Sequence, residues 1–271
     1  NCMRTELSVY QNIREQVQSF SNLLRFHTFV KKNGRKLALS LVDIVSIALF
    51  KQAVKIETKK SVYELLELED TCSYKTLVVN MNRWYFLAVI ILNIIFKSNR
   101  INSHLIKHTD ATSIPVCLNK NAKRNKTMQH IASWAHDGKG YYFGLDLHLT
   151  SDLYRKMLAV KFTSAGTNVR ETFVTLNDHL YGLFIADAEY VSKELERQFH
   201  VEGRRWVLIS PRKNMKKLAT FLDILIYRTR MLIELNFRNL KMFFGLITSL
   251  PRSVDGYFAN YTYSLLAYAL A

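Results

Sequence analysis

The pattern of apolar and polar positions changes character near residue 100. Up to that point it repeats as helices do. In SLVDIVSIALFKQAVK (40–55) Ser40 is placed to cap the N-terminus and Asp43 falls in the first turn. SVYELLELE (61–69) and SYKTLVVNMNRWYFLAVIILNIIF (73–96) keep the pattern after a short break at Asp70–Cys72, and KKNGRK (31–36) is a basic turn ahead of them. Residues 1–103 are therefore expected to form a smaller, all-helical region. Its most apolar stretch is WYFLAVIILNIIF (84–96), only 13 residues with Asn93 inside. A bilayer span needs about 20, so this segment is read as a buried core helix and no membrane contact is expected.

Beyond residue 100 the period shortens. HLIKHTDAT (104–112) reads as a buried strand ending in a polar turn. GYYFGLDLHLT (140–150) alternates, and RKMLAVKFTSA (155–165) follows one short turn later, so these two are expected to pair as a hairpin. VRETFVTLNDHLY (169–181) has the spacing of an amphipathic helix, and GLFIADA (182–188) that of a short buried strand. EYVSKELERQF (189–199) reads as a helix, RWVLISPR (205–212) as a fifth strand, and Lys216 to about Phe244 as helix again. The order β-β-β-α-β-α-β-α predicts an α/β domain over 104–271, a mixed sheet flanked by helices. This succession is the one the ribonuclease-H-like fold uses.

Charge narrows the partner. The formal net charge is +16, and it is not a basic tail: residues 1–103 hold 15 Lys/Arg against 8 Asp/Glu, and 104–271 hold 23 against 14. An extended polyanion fits such a chain better than a small acidic ligand, and double-stranded DNA is the expected partner. Short helices with basic connectors suit a DNA-binding module of helix-turn-helix type, and equally a helical cap on the next domain. Cys2, Cys72 and Cys117 are too scattered for a disulfide framework or a Cys-x-x-Cys metal site, so a reducing cytosol is the default. No signal-peptide pattern is evident, and because the chain opens at Asn1 rather than Met, a start further upstream is expected.

Three acids stand at element ends. Asp110 closes the first strand, Asp187 closes the fourth, and Glu234 lies on the late helix. A carboxylate directly after an apolar strand is costly to bury unless paired or metal-bound, and the carboxyl ends of strands are where open α/β sheets form crevices. Three carboxylates with few neutralising partners beside them point to hard divalent cations: Mg²⁺, two ions, with Mn²⁺ as a substitute. Around Glu234 runs a polar stripe. Tyr227, Arg230, Glu234 and Lys241 fall within an arc of about 60° on a helix that advances about 100° per residue. Arg230 and Lys241 are expected to hold DNA phosphates either side of Glu234, and Tyr227 to hydrogen-bond a phosphate or stack on a base. A solvated face with i,i+4 pairs at Arg230–Glu234 and Glu234–Arg238 would show the same spacing.

The spacing Y-x2-R-x3-E-x6-K over 227–241 resembles the Tyr-Arg-Glu-Lys signature of bacterial insertion-sequence transposases with an Asp-Asp-Glu triad. DATSIPVCLNK (110–120), GYYFGLDLHL (140–149), ADAEYVSKEL (186–195) and PRKNMKK (211–217) are also similar to catalytic-domain blocks of that family. The resemblance covers about 104–271. It implies Asp110, Asp187 and Glu234 as the catalytic triad, strand cleavage at the ends of the element encoding the chain, and transfer of the freed 3′-hydroxyl into target DNA. Joining two ends implies a homodimer or higher assembly on DNA, in the cytoplasm at the nucleoid. Two positions depart from the family pattern: Glu189 stands where Gly is common, and Asp146 where Lys is usual. Both add negative charge near a site that must admit DNA. An inactive relative that only binds DNA ends is therefore the alternative, and a ribonuclease-H-like nuclease is a third reading.

Other signals weigh less. His104 and His108 are four apart, but on a strand that spacing does not bring them to one metal. His148 is read as a core residue, and Asp178 as the main rival to Asp187. The basic runs KNAKRNK (120–126) and RKNMKK (212–217), with Lys213, Lys216 and Lys217, are expected to touch the DNA backbone together with Arg238. Ser113 and Ser210 have no partnered base in sight, which leaves serine nucleophile chemistry unsupported.

Overall fold

The computed structural model describes residues 2–30, 36–187, 190, 195, 197, 205–209 and 220–271. Most of the basic turn 31–36, Glu189 and nearly all of the helix expected over 189–199, and Ser210, Lys213, Lys216 and Lys217 lie outside the described residues. In chain order the helices and strands are α1 (Cys2–Leu24), α2 (Leu41–Ala53), α3 (Lys59–Leu65), α4 (Tyr74–Arg83), α5 (Tyr85–Ile101), β1 (Ile106–Pro115), β2 (Ser133–Asp137), β3 (Gly140–Asp152), β4 (Met157–Ser164), α6 (Val169–Asn177), β5 (Gly182–Ala186), β6 (Arg205–Ile209), α7 (Phe221–Arg228), α8 (Met231–Met242) and α9 (Val254–Leu270). They form two compact units, Asn1–Ile94 with Asn239–Ala271, and Ile95–Arg238. The sequence reading instead divides the chain after residue 103 and assigns the C-terminal residues to the second domain.

The first unit is helical. Ser40, Thr58 and Ser73 each accept a hydrogen bond from the backbone N–H three residues on, capping α2, α3 and α4; a cap of this kind stabilises a helix by about 1 kcal/mol. Helix α2 is buried almost all round, with Ile44, Val45, Ile47, Leu49 and Phe50 at its centre. It is tied to α9 by Gln52, whose Nε2 donates to Asn260 Oδ1 at 2.7 Å. Tyr263 of α9 donates to Met81 O of α4 at 3.1 Å. The helix expected over 73–96 is two helices, α4 and α5, turned at Trp84. Leu87, Ala88, Ile91 and Leu92 of α5 are buried. Among the described residues no single helix is long and apolar enough to cross a membrane.

Among the described residues the second unit carries a mixed sheet of six strands. Strands β4, β3 and β1 run antiparallel in that order, and β5 and β6 add parallel beyond β1. Short β2 pairs antiparallel with the start of β3, Ser133 opposite Gly144. The sequence reading missed β2 because it is five residues long and half polar. Its signal was the Asp137-Gly138-Lys139-Gly140 turn, where Lys139 N donates to Asp137 Oδ1 at 2.8 Å. Helix α6 covers the sheet with Phe173 and Leu176 packed on Leu158, Ala159, Phe184 and Ala186. Beneath it a buried polar chain joins three elements: Thr109 and Thr150 hydroxyls lie 2.9 Å apart, and Thr150 Oγ1 donates to Asn177 Oδ1 at 2.7 Å. Strand β5 opens on Gly182 at φ 120°, where a Cβ would fall 2.2 Å from Leu105 O. Only glycine allows that approach.

Two buried histidines make this sheet acid-sensitive. Burial holds His148 on β3 and His108 on β1 well below the ordinary imidazole value, each at about 4. The unfolded chain takes up their protons below about 6.5 while the fold refuses them until about 4, so stability is full above 6.5 and falls as pH drops through that window. His148→Gln keeps a donor for Thr163 and removes one of the two terms. Urea unfolding is expected to show that between pH 7.5 and 4.5 the wild type loses about 2 kcal/mol more than this variant; equal losses would show that His148 is not held neutral.

Candidate active site

Strand register brings two of the sequence-predicted acids together. The parallel pairing of β1 with β5 covers Ile106↔Leu183, Lys107↔Phe184 and His108↔Ile185. Asp110 and Asp187 each lie two positions past the last pair, so the alternation of side chains puts both on one face at one level. Asp110 is not at the end of its strand, as the sequence reading has it. Strand β1 continues to Pro115 along β3, with Asp110 opposite Leu149. What ends at Asp110 is the partnership with β5, and that leaves the crevice.

The third acid arrives from the helices, and a cation comes with it. Arg230 Nη2 donates to Asp110 Oδ2 at 2.8 Å and to Asp187 Oδ2 at 3.1 Å, while Nη1 donates to Glu234 Oε1 at 3.1 Å. All three predicted triad members therefore meet on one guanidinium. The sequence reading had few neutralising partners beside the acids and gave Arg230 to DNA phosphate, or to an i,i+4 pair with Glu234; the structure has that pair and adds Asp110 and Asp187, so Arg230 is the common partner of the acids. The side chains of Asp110 and Arg230 are 14% and 18% exposed, against 39% for Asp187 and 59% for Glu234, so the contact runs from a buried end to an open one. Burial pushes the Asp110 carboxyl up to about 6, although the Arg230 charge and the Ala111 N–H pull it down. Burial works against the charge of Arg230, and the Asp110 and Asp187 carboxylates outweigh it, so the guanidinium is held above its ordinary value. The exposed Arg230–Glu234 pair is worth little, about 0.3–0.5 kcal/mol.

A turn in the backbone aims Arg230. The continuous late helix expected from the sequence is broken: α7 ends at Arg228 and α8 begins at Met231. Between them the hydrogen bonds tighten to i→i−3, from Thr229 N to Ile226 O and from Arg230 N to Tyr227 O, at 3.1 and 3.0 Å. Thr229 Oγ1 donates to Ile226 O at 2.6 Å and meets His108 Nε2 at 2.8 Å. A hydroxyl has one proton, so His108 must be the donor, which assigns its proton to Nε2. Fully buried His108, two residues before Asp110, thus ties the turn carrying Arg230 to the strand carrying Asp110. The sequence reading had His108 only as half of a discarded metal pair. Its alternation with Asp110 on one strand face was the available signal.

The polar stripe is accordingly divided between two helices. Tyr227 is half-buried in α7, Arg238 is exposed on α8, and Lys241 is half-buried in the last turn of α8. Asp146 is corrected outright: it lies on β3 opposite Ser113, on the sheet face away from Asp110, where it accepts hydrogen bonds from Tyr142 OH and from Gly166 N. It is a structural acid and adds no charge to the crevice. Asp178, the rival, sits beside His179 at the end of α6 and is not among the acids that Arg230 holds. His104 Nδ1 accepts from Ile106 N, and Ser113 donates to Asp137. The lysines of 120–126 are exposed on and just after a short 3-10 turn.

The donor set suits a hard divalent cation in kind. Carboxylate oxygens are what Mg²⁺ and Mn²⁺ take, and once the guanidinium is set aside the three carboxylates leave their negative charges for such ions to balance. As they stand, the acids are turned to Arg230, and among the described residues no three His, Cys, Asp or Glu side chains are grouped to share an ion.

Among known families, the transposase DDE domain matches residues 100–253, which contain the whole crevice. No curated protein matches the chain. A similar solved structure is the cryo-EM structure of the piggyBac transposase synaptic complex with hairpin DNA, at 9% identity, TM-score 0.41, and coverage of 79% of this chain and 52% of that one. The chain thus spans about half the length of that protein.

Thr229→Val keeps the shape of the side chain but leaves the buried His108 N–H without an acceptor, at a cost of about 1–3 kcal/mol. Urea unfolding is expected to show that loss, with Thr229→Ser, which keeps the hydroxyl, losing less than half as much. Equal effects of the two would mean that the hydrogen bond does not carry the turn.

Proposed function

This chain belongs to the transposase DDE domain family, and from that premise we propose that it cuts DNA at the ends of an insertion sequence and joins the freed 3′-hydroxyl to target DNA. The observation that carries the reading is the convergence of Asp110, Asp187 and Glu234 on one point, reached from a strand, a strand end and a helix. These three would hold Mg²⁺, as two ions or with Mn²⁺ in its place; bound there, the ions supply an activated attacking oxygen and stabilise the leaving one. No side chain is needed as general base. Arg230 offers a planar fork of donors suited to a phosphate. Lys241, Arg238 and Tyr227 follow or precede it along the helices, and these residues, with Lys213, Lys216 and Lys217 outside the described residues, are proposed as DNA contacts.

The net charge of +16 supports double-stranded DNA as substrate, bound in a salt-dependent way. The antiparallel β4-β3-β1 group with parallel β5 and β6 beyond it supports a ribonuclease-H-like arrangement for the catalytic unit. Two ends must be joined in one reaction, which favours a homodimer or higher assembly on DNA, at the nucleoid. One observation favours the second reading, a relative that only binds DNA ends: Arg230 already occupies the acids.

Cleavage of a DNA fragment carrying the inverted ends of the encoding element, with and without Mg²⁺, separates the two. The expected result is metal-dependent cleavage at the element boundary. Glu234→Gln and Asp110→Asn reduce it to background while changing DNA affinity by less than about threefold. Cleavage retained in Glu234→Gln would remove Glu234 from the site, and tight binding without any cleavage would leave the end-binding relative as the description.

A further inference from the structure

We infer that Arg230 couples the two ligands of the proposed site, serving as the internal cation of the acids until DNA phosphate draws it away and leaves Asp110, Asp187 and Glu234 to the metal. The inference rests on the transposase reading and adds an order of binding to it.

The geometry sets the two roles of Arg230, partner of the acids and partner of a phosphate, against each other. Nη2 is shared between two carboxylates and Nη1 is engaged by a third. A phosphate that takes the end-on Nη1–Nη2 fork bidentately needs both of these nitrogens. The acids cannot keep the guanidinium while they close on an ion, because two positive groups would then compete for one set of oxygens. The Asp110 and Asp187 oxygens lie no further apart than the sum of their distances to one nitrogen, so they are already close enough for the repulsion between them to matter once the cation leaves. Removing the guanidinium without replacing its charge is therefore unfavourable, and a metal ion is the replacement that carboxylates prefer.

The arrangement is also easy to open. Among the described residues the buried Arg230 Nε has no hydrogen-bond partner, so within them the side chain is only partly satisfied where it lies. Of the three acids it holds, Glu234 is the most exposed. The Arg230 backbone, by contrast, is next to Thr229, which is fixed to His108. A fixed root with an incompletely bonded head allows the head to change partners while the turn stays in place. Binding linkage then works in both directions: DNA raises the affinity for metal, and metal raises the affinity for DNA by the same factor. A permanent structural role for Arg230 predicts no such linkage.

The experiment measures metal rather than turnover. Mn²⁺ is titrated into the full chain and the free ion is followed by electron paramagnetic resonance, alone and with saturating duplex DNA, the binding to DNA alone being subtracted. For the wild type the Mn²⁺ Kd is expected to tighten about tenfold when DNA is present, equivalent to about 1.4 kcal/mol of coupling. Arg230→Gln is expected to bind Mn²⁺ at the tighter level without DNA and to change less than about twofold when DNA is added. Its melting temperature should fall in chelator and recover in Mn²⁺. A wild-type Kd that DNA leaves unchanged would overturn the coupling, and this arm needs no variant to fold. Weaker Mn²⁺ binding by Arg230→Gln than by wild type would equally overturn it, since Arg230 would then be supporting the metal rather than excluding it. No Mn²⁺ binding by the wild type under either condition would instead bring down the metal-dependent reading on which the inference stands.

Discussion

One guanidinium between three carboxylates organises the second unit. Asp110 is mostly buried, and an isolated carboxylate there would be forced to take up a proton. Burial drives it in that direction, to about 6, and Arg230 keeps it from going further. The same contact requires that two strands end their pairing at a common level, that a helix turn be placed against one of them, and that the turn be held by a buried hydrogen bond. The paired register of β1 and β5, the break between α7 and α8, and the bond from His108 to Thr229 are all conditions for this one contact.

The opposite face of the sheet shows how that precision is kept. There the polar groups are joined to one another rather than to a ligand. Thr109, next to Asp110 in sequence but pointing away from it, joins Thr150 and Asn177, and Arg205 Nη1 donates to the carbonyls of Asn177 and Asp178. Buried polar groups bonded in this way specify a single arrangement of the elements that carry them. Alternation along β1 thus separates a structural network from a reactive cluster by one residue.

Much of this was legible in the sequence, and for identifiable reasons. Strand alternation and the helical period located β1, β3, β4, β5 and β6 to within a few residues, because the burial of one face leaves a periodic trace. Asp110 and Asp187 stood out because a charge after an apolar run needs an explanation, and Glu234 because it lies in the polar stripe of the late helix. What the helical wheel could not show was the i→i−3 turn at Thr229 and Arg230: it is held by His108, more than a hundred positions earlier, and a local period carries no record of so distant a partner. The role of Arg230 was hidden for the same reason. Spacing placed it beside Glu234, but its bonds to Asp110 and Asp187 are tertiary. Asp146 misled because it was read from its departure from the family pattern, not from which face of the strand it occupies.

The distance in sequence has a consequence for how the chain comes to be folded. Arg230 reaches Asp110 across 120 positions, and the parallel pairing that sets the level of the acids is itself a long-range one, Ile106 with Leu183. Contacts of such separation form late, after local helices and hairpins, because the loop between them must be closed first. A chain still emerging from the ribosome has made both aspartates long before it has made their cation. During that interval the β3–β4 hairpin can form, but β1 and β5 carry acids that repel at the point where they must meet. The completion of the crevice therefore waits for Arg230 and Glu234, and the order of synthesis delays its assembly until these last of its residues have left the ribosome.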